Sequence, residues 1–299
     1  MNLFKANYFS FKKVAEKEKE KKPSWLRVKM PSGKLYVQTN SALGNLCTVC
    51  KSAKCPNLGK CWSEGRATFM ILGDVCTRNC RFCAVKKGVP TAVDSTEPMR
   101  LALAAKKMNL KFVVITSVTR DDLPDGGAKH FADTIFAIRK EIPEAKIEVL
   151  TPDFMGDTKA LDIVLNASPD VFNHNLETVK ELQKSIRIKA SYEVSLKVLE
   201  YASKHNNAVK SGIMLGLGET KEQVENCLCD MRKSNVNMLT IGQYMKASPA
   251  NIDIVRYAEL DEFEHYKNFA LKIGFEKVQS SPFTRSSFNA QEVFSVSNA

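Results

Sequence analysis

Six short apolar runs follow one another after residue 65, and each run is followed by a polar or glycine-rich loop and then by a helical pattern. Short runs rich in Val, Ile and Phe that alternate with helices are typical of βαβ units around a buried parallel sheet. Because such connections are right-handed, the pattern predicts an α/β protein with a partial (β/α)6 barrel of the TIM type; a doubly wound sheet is the alternative. The predicted strands are TFMILGDV (68–75), KFVVITSV (111–118), IEVLTPD (147–153), PDVFNHNLET (169–178), VKSGIMLGLGET (209–220) and NMLTIGQYM (237–245).

Every predicted strand ends in a polar or flexible loop. These loops read CTRNC, TSVTRDD, TPD, NHNLE, GLGET and GQY. In barrels of this kind, chemistry collects at the carboxyl ends of the strands. We therefore expect all six loops to face one cavity.

The chain divides into four predicted segments. A basic, flexible N-terminus (1–24) precedes a cysteine-rich N-terminal segment (25–65), which has no clear periodicity. The barrel is predicted to span residues 66–275, and a C-terminal tail to span 276–299.

Composition narrows the classes of protein. The chain has no run of 18 or more apolar residues, so no membrane span is predicted. Its N-terminus lacks the apolar stretch of a secretory signal, which predicts a cytoplasmic protein and leaves the mitochondrial matrix open. The net charge of +11 favours an acidic or anionic partner.

Three of the nine cysteines fall in eight positions, in the sequence CTRNCRFC. Cys76, Cys80 and Cys83 have the spacing C-x3-C-x2-C, and thiolates suit zinc, copper(I) and iron–sulfur clusters. A [4Fe–4S] cluster on three thiolates leaves one iron open to an external ligand. A zinc site completed by a distant residue is the alternative. Arg78 and Arg81 are expected to offset the charge of a thiolate-bound cluster.

A second trio lies upstream of the predicted barrel. Cys50, Cys55 and Cys61 have the spacing C-x4-C-x5-C, and in a reducing compartment they favour a second metal centre over a disulfide. Spacing leaves the fourth ligand open. Cys47 is one candidate, whereas Cys227 and Cys229 point to different sides of a helix and are weaker ones.

The C-x3-C-x2-C motif with Phe82 before its last cysteine resembles that of the radical S-adenosylmethionine (SAM) enzymes. The resemblance implies that Cys76, Cys80 and Cys83 bind a [4Fe–4S] cluster whose open iron chelates SAM. It also implies reductive cleavage of SAM to a 5′-deoxyadenosyl radical, in a partial (β/α)6 barrel.

The second trio narrows the resemblance to the lipoyl synthase family of these enzymes. NLCTVCKSAKCPNLGKCW, TSVTRDDLPDGGA, FNHNLETV, KSGIMLGLGET, LTIGQYMKAS and FTRSSFNA are similar to that family over most of the chain, from about Trp25 to Ala290. The resemblance implies an auxiliary [4Fe–4S] cluster on Cys50, Cys55, Cys61 and Ser287. Ser287 would be released during sulfur insertion. Phe288 and Asn289 stand where the family usually has tyrosine and histidine.

The activity implied by this resemblance is that of a sulfurtransferase in lipoate biosynthesis. Two sulfur atoms would enter at C6 and C8 of a protein-bound N6-octanoyl-lysine, with the auxiliary cluster as sulfur source and two SAM molecules cleaved. The implied partners are octanoylated lipoyl carrier domains, namely glycine cleavage H protein and the E2 subunits of 2-oxoacid dehydrogenases. A low-potential donor such as flavodoxin or ferredoxin and an iron–sulfur carrier for cluster repair are also implied.

Polar side chains at two strand ends are candidates for SAM contacts. Thr116 and Ser117 end the second predicted strand, and Asn173, Asn175 and Glu177 follow the fourth. Helix capping is the alternative role for the asparagines.

Two other functions are alternatives for the whole protein. One is a basic zinc module that binds nucleic acid, but the chain lacks the usual ligand spacing and the interleaved basic and aromatic residues of such modules. The other is a different radical sulfur-inserting or methylthiolating enzyme.

Overall fold

A computed structural model describes residues 22–28, 31–205 and 208–295. Most of the predicted N-terminal segment, residues 1–21, therefore lies outside the described residues. The strands within them are β1 Thr68–Ile71, β2 Val75–Cys76, β3 Lys86–Lys87, β4 Phe112–Ser117, β5 Lys146–Leu150, β6 Val171–Asn173, β7 Val209–Leu215, β8 Met238–Gln243 and β9 Lys277–Ser280.

Seven of these strands form one parallel sheet in the order β1-β4-β5-β6-β7-β8-β9, and β2 pairs with β3. The prediction of a parallel α/β partial barrel is confirmed. The six predicted runs coincide with β1 and β4 to β8, except that β5 begins one residue earlier than predicted. β9 was not predicted; it is only four residues long and half-buried.

The helices that connect these strands cover the outside of the sheet. Their apolar faces are buried, as on α5, where Phe131, Ile135 and Ile138 are fully inaccessible. The helices are α1 Lys34–Leu43, α2 Val49–Ser52, α3 Leu58–Ser63, α4 Glu97–Lys107, α5 Ala128–Glu141, α6 Thr158–Asn166, α7 Lys180–Ile186, α8 Tyr192–Ser203, α9 Lys221–Lys233, α10 Leu260–Lys272 and α11 Ala290–Ser295.

The cysteine-rich N-terminal segment folds onto the β1 edge of the sheet. An isolated antiparallel bridge joins Thr48 to Phe69 of β1. Trp62 is fully buried, and its carbonyl oxygen accepts a hydrogen bond from Thr39 Oγ1 of α1 at 3.1 Å. This packing holds α1 to α3, none of which the sequence pattern predicted.

The C-terminal tail runs through the barrel interior after β9. Thr284 is buried against β8, where a Cβ atom at Gly242 would collide with the Thr284 carbonyl oxygen. Farther on, α11 packs its Ala290 in an apolar cluster with the first residues of β4 and β8, Phe112 and Met238. The tail therefore passes from the carboxyl ends of the strands towards their amino ends, and places residues 284–288 inside.

Candidate active site

The first cysteine trio lies on the loop that follows β1. Cys76, Cys80 and Cys83 all line one cavity of about 240 Å³. The backbone N–H groups of Arg78 and Thr119 each donate to Cys76 Sγ at 3.4 Å. Donors of this kind stabilise a thiolate, so the loop is suited to bind a positively charged metal centre through sulfur.

Burial makes two of these thiols hard to ionise on their own. Desolvation raises the pKa of Cys80, and it raises the pKa of Cys83 to about 12. A bound metal reverses this effect, because a coordinating thiol is deprotonated outright. Metal binding at this trio therefore displaces protons.

Arg78 offsets the charge of the trio only in part. Its charge lowers the pKa of Cys80, but by less than that of Arg187. Its guanidinium group also donates to both carboxylate oxygens of Asp121 at 2.8 Å, and to both of Asp153 at 2.7 and 2.8 Å. Arg78 thereby ties the cysteine loop to the loops after β4 and β5. Arg81 is exposed and donates to the Ser185 carbonyl oxygen.

Arg187 is a further cation at this site, and no sequence motif predicted it. It is buried, lines the same cavity as Cys80, and donates through Nη1 to the carbonyl oxygens of Asn175 and Leu176. Its Nε atom is buried without a hydrogen-bond partner among the described residues. A buried, incompletely paired guanidinium beside a cavity is a candidate anion-binding group.

Four of the predicted SAM-contact residues line the cavity of the first trio: Thr116, Ser117, Asn175 and Glu177. Thr116 Oγ1 donates to the Leu150 carbonyl oxygen at 2.9 Å, whereas Ser117 Oγ and Asn175 Oδ1 are buried without a partner among the described residues. Burial raises the pKa of Glu177, against the opposing effects of Arg187 and Asn175. The buried atoms without partners are suited to a polar ligand.

Asn173 is placed differently. Its Nδ2 atom donates to Glu148 Oε1 at 2.9 Å in the barrel interior, and the residue is not among those that line the cavity of the first trio. The structure thus associates Asn173 with a buried charge pair.

The second trio lines a different cavity, of about 320 Å³. Cys50, Cys55, Cys61 and Ser287 share its wall. Burial, together with the charges of the neighbouring Cys50 and Cys55 thiolates, raises the pKa of Cys61 to about 12. The structure thus brings Ser287 to three thiols that precede it by more than 200 residues in the sequence.

The tail and the second trio are held together directly. Asn57, which lies between Cys55 and Cys61, donates through Nδ2 to the Phe283 carbonyl oxygen at 2.7 Å. Arg285 lines the same cavity as the trio, and its charge opposes the rise in pKa that burial causes at Cys55.

The remaining cysteines lie elsewhere. The charged neighbours of Cys47 are Asp74, Glu97 and Arg100, and Cys47 is absent from the wall of the second trio's cavity. Cys227 is buried in the core on α9, and Cys229 is on the same helix.

A third cavity, of about 210 Å³, is lined by residues of both trios. Cys50 and Cys55 of the second trio share its wall with Cys83 of the first trio and with Phe82. Apolar side chains dominate the remainder, among them Val49, Ala53, Leu150, Ile213, Met214, Tyr244 and Met245. We call this space the central chamber; it is large enough for a small apolar chain and adjoins both sets of thiols.

The described residues contain no group of three His, Cys, Asp or Glu side chains placed to hold a single metal ion. The thiols of each trio instead stand around a cavity. A [4Fe–4S] cluster fills a volume between its ligands and is itself held by Cys thiolates, so the residues present fit such a cluster.

The family model of the radical SAM superfamily matches residues 70–228. The chain is 50% identical over 276 residues to the lipoyl synthase of Caldicellulosiruptor saccharolyticus, covering 91% of this chain and 97% of that protein. It is also 50% identical over 280 residues to the lipoyl synthase of Chlorobium limicola, covering 92% and 96%. The chain belongs to the lipoyl synthase family. It is thus a radical SAM enzyme and a sulfurtransferase, and membership of this family implies a [4Fe–4S] cluster and SAM.

Solved structures of other proteins superpose on the fold of this lipoyl synthase family member. Methylornithine synthase (PylB) superposes with a TM-score of 0.53 at 14% identity, over 74% of this chain and 72% of that chain. SuiB of Streptococcus suis, in a structure bound to S-adenosylmethionine, gives 0.54 at 12% identity, over 72% and 51%. In the part of the chain that the structure describes, no helix is long and apolar enough to cross a membrane.

Proposed function

We propose that this lipoyl synthase family member converts a protein-bound N6-octanoyl-lysine to the dihydrolipoyl group by inserting sulfur at C6 and C8. The observation that carries the proposal is the central chamber, whose wall contains cysteines of both trios. A substrate chain in this chamber would contact a radical source on one side and a sulfur source on the other.

The first trio, Cys76, Cys80 and Cys83, would hold a [4Fe–4S] cluster whose chemistry, with bound SAM, supplies the 5′-deoxyadenosyl radical that removes hydrogen from carbon. Ser117, Asn175 and Glu177 offer acceptors and donors for the hydroxyl and amino groups of SAM, and Thr116 fixes the β4 end beside them. Arg187 is suited to its carboxylate. We leave Asn173 out of this set, because it is committed to Glu148.

Cys50, Cys55, Cys61 and Ser287 would hold the auxiliary [4Fe–4S] cluster, which supplies the inserted sulfur. An alkoxide oxygen is a harder ligand than a thiolate, so Ser287 is the ligand best suited to leave during sulfur insertion. The tail around it remains attached through Phe283 and Asn57.

The apolar wall of the central chamber would bind the octanoyl chain and exclude water from the carbon radical. Side chains such as Leu150, Ile213 and Met214 contribute by the burial of apolar surface. Exclusion of water protects a reactive intermediate from side reactions, which the chemistry requires at both C6 and C8.

The proposed partners are octanoylated lipoyl carrier domains, including glycine cleavage H protein and E2 subunits. These domains tend to be acidic around the modified lysine, so the net charge of +11 would raise the rate of encounter more than the affinity. We also propose a flavodoxin or ferredoxin as electron donor, an iron–sulfur carrier for cluster repair and a cytoplasmic location. We also propose the division of the chain into an N-terminus, a cysteine-rich segment, a barrel and a C-terminal tail, at residues 1–24, 25–65, 66–275 and 276–299.

The test is a single-turnover reaction under anaerobic conditions, with an octanoylated carrier, SAM and dithionite. We expect a product with two added sulfur atoms, detected by mass spectrometry. Ser287→Ala is expected to cleave SAM but to insert little sulfur. Ser203→Ala, which changes a half-buried serine at the end of α8, should behave as wild type. Full sulfur insertion by Ser287→Ala would refute the assignment of this ligand.

A further inference from the structure

A lysine and a glutamate face each other inside the barrel, where both side chains are 0% exposed. Lys210 lies on β7 and Glu148 on β5, with β6 between them. The two charges are in contact, with Lys210 Nζ 3.0 and 3.1 Å from the two carboxylate oxygens of Glu148. Asn173 of β6 donates to the same carboxylate at 2.9 Å.

A buried ion pair of this kind is poorly explained by stability alone. Removing two charges from water carries a penalty that their attraction often fails to exceed, and apolar residues of the same volume frequently stabilise a core as well or better. Its positive end, however, makes a third contact. Lys210 Nζ donates to the backbone carbonyl oxygen of Ser286 at 2.5 Å.

This contact reaches the C-terminal tail at the residue that precedes Ser287. The Ser286 carbonyl group and the Ser287 N–H belong to one planar peptide unit, so a hydrogen bond to the carbonyl oxygen restricts the position of Ser287. Asn175 Nδ2 also donates to Ser286 Oγ at 2.5 Å. Lys210 of β7 thus holds the main chain of Ser286, and Asn175, in the loop after β6, holds its side chain.

An ammonium group has three N–H donors. In the structure, the two carboxylate oxygens of Glu148 and the carbonyl oxygen of Ser286 provide one acceptor for each of them. Glu148 therefore orients the lysine, and the lysine orients the peptide.

We propose that Lys210 is a positioning residue that holds Ser287 at the auxiliary cluster, with Glu148 keeping the ammonium group in place. The inference rests on the proposed function, since it takes Ser287 as a ligand. The anchored peptide keeps the serine hydroxyl close to the cluster when the ligand is released during sulfur insertion, so that the cluster site stays assembled between turnovers.

The test replaces the pair together, as Lys210→Met/Glu148→Gln, so that no unpaired charge is left buried. Lys197→Met, an exposed lysine on α8, is the matched control. The protein is reconstituted with ⁵⁷Fe, and Mössbauer spectra, 5′-deoxyadenosine formation and sulfur insertion are measured for both variants, for Ser287→Ala and for the triple variant that combines all three substitutions.

We expect the double variant to keep SAM cleavage within about twofold of wild type and to lose sulfur insertion by roughly 10- to 100-fold. Its Mössbauer spectrum should lose the signature of the oxygen-ligated iron, as in Ser287→Ala. The triple variant should insert as much sulfur as Ser287→Ala, because a lysine that acts only through Ser287 has no effect once the serine hydroxyl is absent.

Three other results overturn the inference, and they are distinguishable. A double variant that retains the oxygen-ligated signature and wild-type sulfur insertion, beside a Ser287→Ala variant that loses both, refutes the role of Lys210 and leaves the proposed function intact. An unchanged auxiliary-cluster spectrum in Ser287→Ala refutes the ligand itself, and with it both statements. A triple variant that inserts much less sulfur than Ser287→Ala would show that Lys210 and Glu148 support the barrel as a whole and do not act through Ser287.

Discussion

Replacement of Asp153 by asparagine is expected to weaken the attachment of the loop that carries Cys76 and Cys80. The side chains of Arg78 and Asp153 are 5% and 2% exposed, and they are joined by two hydrogen bonds of 2.7 and 2.8 Å. Burial alone would raise the pKa of Asp153, but the hydrogen bonds and charge of Arg78 lower it to about 2. The carboxylate is therefore ionised at neutral pH, and the substitution removes a full charge.

The size of the effect follows from these distances. At 2.7 Å and an effective dielectric constant of about 20, the attraction between the two charges is about 6 kcal/mol. Desolvation offsets part of this attraction, and Asp121 continues to pair with Arg78. Since breaking a buried pair usually destabilises a protein by about 3–5 kcal/mol, we expect a loss near the lower bound, about 3 kcal/mol. For a chain of this size, that loss lowers Tm by about 5–10 °C.

The assay is thermal unfolding of the cluster-loaded protein, followed by circular dichroism under anaerobic conditions at a fixed scan rate. Asp133→Asn is the control, because Asp133 forms an exposed i,i+4 pair with Lys129 on α5. Such a pair contributes less than ~1 kcal/mol, so the control should lie within about 2 °C of wild type. If Asp153→Asn melts together with the control, the reasoning about this buried pair is wrong.

Three further predictions concern other parts of the molecule. His174 is fully buried, and burial lowers its pKa from 6.5 to about 4. Between these two pH values the unfolded chain binds a proton that the folded chain does not, so the stability of the fold decreases as the pH is lowered. NMR titration of ¹³C-labelled histidine in the cluster-free protein should find a low midpoint for His174, and a midpoint at or above 6.5 would contradict this prediction. Gly242→Ala places a methyl group against the Thr284 carbonyl oxygen and so displaces the tail that carries Ser287. Sulfur insertion should therefore fall roughly 10- to 100-fold, while SAM cleavage persists. Unchanged sulfur insertion would show that the tail does not need this close approach to β8. Cys47→Ser should retain the iron content of wild type, because Cys47 does not line the cavity of the second trio. A loss of about four irons would make Cys47 a cluster ligand.

Most of the sheet could be predicted because strands buried on both faces of a parallel sheet consist of nearly continuous runs of apolar residues. β4 and β8, for example, are buried at nearly every position, and β4 begins with four apolar residues, 112–115. β9 could not be found this way, since Lys277 and Gln279 interrupt its four residues. The N-terminal helices escaped because a few long-range contacts, such as that of Thr39 with the Trp62 carbonyl oxygen, hold them rather than a periodic apolar face.

The candidate ligands were accessible from sequence because cysteine spacing within a short loop limits the metals that it can bind. Partners that are distant in sequence were not. Nothing in the loop CTRNCRFC indicates that Arg78 meets Asp121 and Asp153, which lie 43 and 75 residues away. The sequence did contain one such signal: Glu148 and Lys210 are opposite charges near the start of two predicted buried strands, where an unpaired charge is strongly disfavoured.

The central claim is that two clusters, one on each cysteine trio, share a chamber and divide the chemistry. Iron content and Mössbauer spectra should be measured, with sulfur insertion, for wild type and for two variants that replace all three cysteines of one trio by alanine. We expect about eight irons in wild type and about four in each variant. The variant without Cys76, Cys80 and Cys83 should not cleave SAM, and the variant without Cys50, Cys55 and Cys61 should cleave it without inserting sulfur. A wild-type content of about four irons, or sulfur insertion by the second variant, would contradict the account.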